Sequence, residues 1–446
     1  MYFTFERLGL LMRNLILTII KKPFVRNVTM LVTGTAAAQA LTLAASPFIT
    51  RIYGPEAFGI LGAFNAIISI VAPIGALTYP IAIVLPKNDQ DARGIIRLSL
   101  IIAAIIATVL FSTLLIFNNY IVNLFGLHEI AVFLYFIPLV IIFSALMQVS
   151  EQWLIRTRQF SINAKVSFIH SLVMNLSKIG IGLFKPLSTV LVLLQAASNG
   201  IKALLMIIFS KGLFNSADVQ LKDGKKSIKK LAKTHYDFPV FRAPQVLLNG
   251  VSMGLPVLML TTFFGPTSAG FYTLSRTALS APTQLIGKSV SDVFYPRISE
   301  AAHNNENIAE MLIKATLTLF LIGLIPFGLI IFFGPTIFTF VFGEEWTTAG
   351  EYARWVALWV YFSFVNRPSV KTLPVLSAQA FHLAFTVVML LSNATALYIG
   401  YYFFLSDTLA VTLVGISGAF FSLAIVIMTI ILSKKRVKLH GLNKKL

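Results

Sequence analysis

Apolar runs of roughly 18 or more residues, separated by short polar connections, recur from about residue 27 to residue 432. A run of that length suffices for a helix to cross the hydrocarbon core of a bilayer. Only helices and closed barrels can cross, because lipid satisfies no free backbone polar group. A barrel would show ten-residue segments of alternating polarity. The runs here are continuous, so the pattern predicts helices. Spans are expected at 28–50, 57–85, 98–117, 131–149, 164–183, 187–210, 241–264, 268–288, 312–333, 350–365, 377–400 and 409–432. The expected fold is therefore an all-α integral membrane protein with about twelve transmembrane helices.

The connections set the orientation. If the N-terminus is cytoplasmic, all but six of the 36 Lys and Arg residues fall on the cytoplasmic side, counting those at span edges with the side they adjoin. The exceptions are Arg51, Lys185 and Arg354 outside, and Lys178, Lys202 and Arg276 within spans. This bias is the positive-inside rule, and it predicts a multi-pass protein with both termini cytoplasmic. It also accounts for the net charge of +19 without nucleic acid. Residues 1–27 form a basic amphipathic segment that reads either as an interfacial helix or as an unstructured tail. Residues 28–210 form a first set of six spans and 241–432 a second. Between them lies a basic cytoplasmic linker, 211–240, and a basic tail occupies 433–446. In the linker, Lys222, Lys226, Lys229, Lys230 and Lys233 share one helical face. That face suits anionic headgroups, and it suits a solvated connector equally well.

The two halves resemble each other. The stretch Gly54-Pro55-Glu56-Ala57-Phe58-Gly59 follows span one, and Gly265-Pro266-Thr267-Ser268-Ala269-Gly270 follows span seven, 211 positions later. A weaker echo pairs Gly126 with Gly343, and His170 with His382. An even number of spans per half returns the chain to the same side. The halves are then parallel repeats about an axis along the membrane normal, two six-helix lobes that would hold a substrate between them.

Polar residues recur at helical spacing inside the spans. Span one carries Thr35, Gln39, Thr42 and Ser46; span seven carries Gln245, Asn249 and Ser252; span two carries Asn65 and Ser69. Such faces turn to other helices or to water. For the Ser and Thr members, interhelical hydrogen bonding is the simpler reading. Lys178, Lys202 and Arg276 are different, because a cation at a helix centre costs about 2.5–3.5 kcal/mol on the lenient insertion scale. None of the 17 acids falls deep within a predicted span. A wet central cavity with cations and no carboxylates suits an anionic substrate, which Arg grips through paired donors and Lys as a point charge. The substrate-binding candidates are Arg276, Lys178, Lys202, Arg242, Arg51, Asn65, Gln39 and Asn249. His170 and His382 are candidates for a proton-linked step, or core histidines held by hydrogen bonds. No P-loop, no H-E-x-x-H and no metal-ligand cluster occurs, so neither enzyme chemistry, a metal nor a cofactor is expected.

These residues carry a family resemblance. The run Pro47 to Gly59 resembles the polysaccharide-transport branch of the multidrug/oligosaccharidyl-lipid/polysaccharide exporter superfamily, with Wzx-type O-antigen flippases the nearest type. Arg276, Pro282 and Tyr295-Pro296-Arg297-Ile298-Ser299 resemble the eighth-span pattern of the same superfamily, including its lipid II flippases. The resemblance implies two lobes around a V-shaped cavity that opens alternately to either face of a bacterial cytoplasmic (inner) membrane. It implies as substrate an oligosaccharide on undecaprenyl pyrophosphate, with Arg276 at the position of a cavity arginine. It also implies membrane lipids and other polysaccharide-assembly membrane proteins as partners. The rival reading is a multidrug-type antiporter of small molecules. That branch typically uses intramembrane carboxylates, which the predicted spans lack.

Overall fold

The computed structural model describes residues 23–210, 227–304 and 306–443. Twelve spans are present, and the first two belong to one element. Helix α1 (Pro23–Val71) is broken at Gly54, where φ is +66° and ψ 173°. Only glycine enters that region without strain, and Pro55 then starts the second half with its fixed φ. The first lobe continues through α2 (Asp89–Phe125), α3 (Ile137–Arg156), α4 (Phe160–Phe184) and α5 (Ser188–Phe209). A short helix, α6 (Ile228–Thr234), precedes the second lobe. That lobe contains α7 (Ala243–Phe264), α8 (Pro266–His303), α9 (Ile308–Phe342), α10 (Thr347–Val365), the short α11 (Arg367–Thr372), α12 (Gln379–Tyr402) and α13 (Asp407–Asn443).

Several boundaries differ from expectation. The second span stops at Val71 rather than residue 85, and the chain continues in two 3-10 turns, Ala72–Ile74 and Tyr79–Val84. Pro73 and Pro80 each remove a backbone donor there, and Leu77 and Thr78 take positive φ, so the helix does not continue. Helix α8 runs to His303, well past residue 288, and α13 runs to Asn443, so the basic tail continues the last span. Helix α9 extends to Phe342 with a kink at Phe333, two residues before Pro335. Of the N-terminal segment 1–27, residues 1–22 lie outside the described residues, as do Lys222 and Lys226 of the linker.

Among the described residues, nine stretches are long and apolar enough to span by composition alone. The first of them, Thr33–Ile74, holds two spans. Helices α8 and α10 fall short on apolarity because they are shielded from lipid by neighbours. Helix α10 packs against α8, α9 and α13 and buries Tyr352, Val356 and Tyr361. Helix α8 packs against α1, α7 and α10 and carries polar side chains into the space between the lobes.

The lobes meet through the repeated motif. Gly265, with φ +86° and ψ 173°, repeats the break at Gly54. The half-helices that follow lie against each other reciprocally: a Cβ on Gly59 would overlap the Pro266 carbonyl, and one on Gly270 would overlap the Pro55 carbonyl. The equivalent positions Gly62 and Thr273 face each other, which places them beside the pseudo-two-fold axis. Arg51 lies against Gly343, and its counterpart Thr262 lies against Gly126. Arg51 Nη2 donates to the carbonyls of Phe340 (3.1 Å) and Val341 (3.4 Å), which the end of α9 leaves without helical partners. Trp346, 1 % exposed, donates from Nε1 to the Thr50 carbonyl at 3.2 Å and meets the Phe58 ring edge-on at 5.2 Å. This end of the bundle is the tight end. The opposite end carries most of the cations.

Substituting Gly59 or Gly270 with Ala forces backbone apart at the tight end, an overpacking cost of about 1–3 kcal/mol. The chain has no cysteine, so one spin-label pair placed across the lobes reports without background. Either variant is expected to lower the melting temperature and lengthen the tight-end distance. An unchanged distance would show that the lobes do not rely on this contact.

Candidate functional site

Between the lobes lies a cavity of about 400 Å³, within the range of small-ligand sites. Helix α1 contributes Gln39, and α7 contributes Met253. Helix α8 supplies Arg276, Thr277, Ser280, Thr283 and Gln284. Trp359 and Ser363 come from α10, and Arg367 from α11. No Asp or Glu is among the residues that line it.

Arg276 is held in place from several directions. Its Nη1 donates to the Met253 carbonyl at 2.6 Å, and Nη2 approaches Met253 Sδ at 2.8 Å. The guanidinium lies 5.5 Å from the Trp359 ring centroid and 6.0 Å from that of Tyr272. Pro256, one turn further along α7, lacks the N–H that would otherwise bond to the carbonyl of residue 252, the neighbour of Met253. These contacts orient a cation whose remaining N–H groups can face an anion. Gln39 Oε1 is buried without a hydrogen-bond partner among the described residues, so the opposite wall offers an acceptor to a hydroxyl or a water.

The other candidates are distributed differently. Thr42 and Ser171 hydroxyls lie 3.0 Å apart, Ser171 Oγ donates to the Ala38 carbonyl at 2.9 Å, and Asn175 Nδ2 donates to Thr42 Oγ1 at 3.2 Å. This seam joins α1 to α4, so the stripe of span one divides: Thr42 binds helices together while Gln39 faces the cavity. His170 Nε2 lies 3.0 Å from the Ser198 carbonyl and 3.1 Å from its hydroxyl, bridging α4 to α5. Lys178 and Lys202 are half-buried in the same lobe. Arg242 is exposed before α7 and donates to Gln245 Oε1 at 2.9 Å. Arg51 stands at the tight end. Asn65 is half-buried on α1, Asn249 is exposed on α7 and His382 is half-buried on α12. Of the predicted binding residues, the cavity thus gathers Arg276 and Gln39. It adds Arg367, which the sequence places in a connection between spans. The one sequence signal for Arg367 is Asn366-Arg367-Pro368, a helix break at the end of a predicted span.

Two parallel six-span lobes around a polar cavity define a multi-pass membrane protein with a transporter fold. The same fold is found in "Lipid II flippase MurJ, inward closed conformation", with a TM-score of 0.70 at 15% identity over 93% of this chain and 91% of that one. It is also found in the inward-facing conformation of a multidrug resistance MATE family transporter of the MOP superfamily, with a TM-score of 0.69 at 14% identity over 90% and 94%. The chain belongs to the family described as "Polysaccharide biosynthesis protein", which it matches over residues 48–351. The succinoglycan biosynthesis transport protein ExoT of Rhizobium meliloti (strain 1021) is 23% identical over 340 residues. That match takes in 74% of this chain and 65% of the relative, so the chain spans just under two thirds of that relative's length.

Replacing Trp359 with Leu removes a cation–π contact of about 0.5–2 kcal/mol and leaves Arg276 held by Met253 on α7 and the Tyr272 ring of its own helix. Peptide-resolved labelling with an arginine-directed dicarbonyl should then modify Arg276 severalfold faster. Equal labelling in both proteins would mean that Trp359 does not hold the guanidinium.

Proposed function

We propose that this protein is a flippase for undecaprenyl-pyrophosphate-linked oligosaccharide, moving the headgroup from the cytoplasmic to the outer leaflet by alternating access. One observation carries the reading: Arg276, oriented by Met253 and Trp359, faces an interlobe cavity with no carboxylate in its lining. Family membership and the lipid II flippase fold support it. The basic end faces the cytoplasm of a bacterial inner membrane, so the tight end seals the outer side and the cavity receives substrate from within.

In this mechanism the diphosphate meets Arg276, and a sugar hydroxyl donates to Gln39. The prenyl chain stays in lipid. Arg242 adds positive charge at the cytoplasmic mouth, and Lys178 and Lys202 add it on the facing lobe. Asn65 and Asn249 contact the sugars as the lobes rearrange. Opening the tight end breaks the Arg51 bonds to Phe340 and Val341. A potential of about 100 mV, negative inside, contributes roughly 4–5 kcal/mol to outward movement of two negative charges. A proton-coupled cycle would run through His170 and His382; the field alone needs neither.

Cells carrying Arg276→Ala at wild-type protein level should accumulate the pyrophosphate-linked precursor on the cytoplasmic side and lose surface polysaccharide. Normal export in these cells, with loss in a deletion, would remove Arg276 from the site. Normal export in the deletion, with altered drug tolerance, would favour a small-molecule antiporter.

A further inference from the structure

Arg367 has no place in the mechanism above, yet it shares the cavity with Arg276. Its position is built. A Cβ on Gly287 would come within 2.9 Å of Arg367 Nε, 3.0 Å of Cζ and 3.2 Å of Nη1. The guanidinium therefore lies in a notch on α8 that exists only because residue 287 has no side chain. The flat guanidinium group fills such a slot closely.

The notch also fixes its depth. Gly287 follows Arg276 by eleven residues on α8, about 16 Å toward the basic end at 1.5 Å per residue. That rise along the helix axis exceeds the length of a diphosphate, which points to two successive stations rather than one clamp. Between them the wall presents Ser280, Gln284 and Ser363, all uncharged, with no acid in the lining to trap a cation or repel an anion.

We propose that Arg367, seated by Gly287, is an entry station that captures the diphosphate at the mouth and passes it along α8 to Arg276. The proposal rests on the reading of Arg276 as the diphosphate site. An entry station acts on encounter and first binding, and a charge at a mouth does so through a field that salt screens. The deep station acts on translocation itself.

The test uses full-length protein in proteoliposomes and a fluorescent polyprenyl-pyrophosphate disaccharide, with initial flipping rates measured against substrate concentration. Arg367→Ala is expected to raise the half-saturating concentration about tenfold at low salt, with little change in maximal rate and a smaller effect at high salt. Arg367→Lys should retain most of the affinity. Gly287→Ala should cost severalfold in the wild-type background and nothing further in the Arg367→Ala background, because the two act as one unit. Unchanged half-saturation in Arg367→Ala at low salt overturns the entry station, as does a Gly287→Ala cost that is equal in both backgrounds. If Arg276→Ala abolishes flipping while Arg367→Ala is silent, only the entry station fails. If both are silent, the diphosphate reading itself fails.

Discussion

Contact between backbones at one end of the bundle governs the rest of the structure. Helices in lipid gain no hydrophobic driving force from meeting one another, so tight association depends on small residues that let main chains touch. Gly59 and Gly270 supply this twice over, each against the proline that opens the partner's half-helix. Because the two contacts are related by the repeat, they close together or part together. From there the close approach of the lobes continues along α1 and α7, where Gly254 faces the Ala66 carbonyl and Gly250 that of Ser69. The cavity is lined further along α8, from Arg276 to Gln284.

An arginine inside a membrane protein needs a reason to stay there. Arg276 has three: the Met253 carbonyl, the Met253 thioether, and two aromatic faces. None of these neutralises its charge. A carboxylate in the same position would have done so, and the cavity would then have no field to offer an anion. Holding a cation by neutral groups keeps it oriented and leaves its charge unspent. The same logic applies to Arg367, which is seated by the absence of a side chain rather than by an acid.

Most of the architecture was readable because the bilayer imposes it. Run lengths placed the spans, and the Gly54-Pro55 and Gly265-Pro266 motifs located the repeat that forms the lobe contact. What the pattern missed has physical causes. The second span was drawn too long because the 3-10 turns after Val71 are as apolar as a helix, and only Pro73 and Pro80 mark the change. Polar stripes could not be divided in advance: Thr42 and Gln39 share a face by spacing, yet a partner on α4 claims one and the cavity takes the other. Arg367 was hidden because it follows a helix break, where a cation ordinarily sits in a headgroup layer. The notch that holds it depends on Gly287, 80 positions away in sequence.

Helix α6 closes off another freedom. Leu231, 2 % exposed, inserts beside Gly94 on α2, while Tyr79 donates to the Ala232 carbonyl at 3.2 Å and Thr78 to the Phe238 carbonyl at 3.0 Å. Residues 231–238 are thus moored to the first lobe almost up to the start of α7. The connection from that mooring to the second lobe is the few residues from Phe238 to Arg242, wound as a single π-helical turn. In the proposed cycle, rocking of the lobes would twist that one coil and load it as a torsion spring.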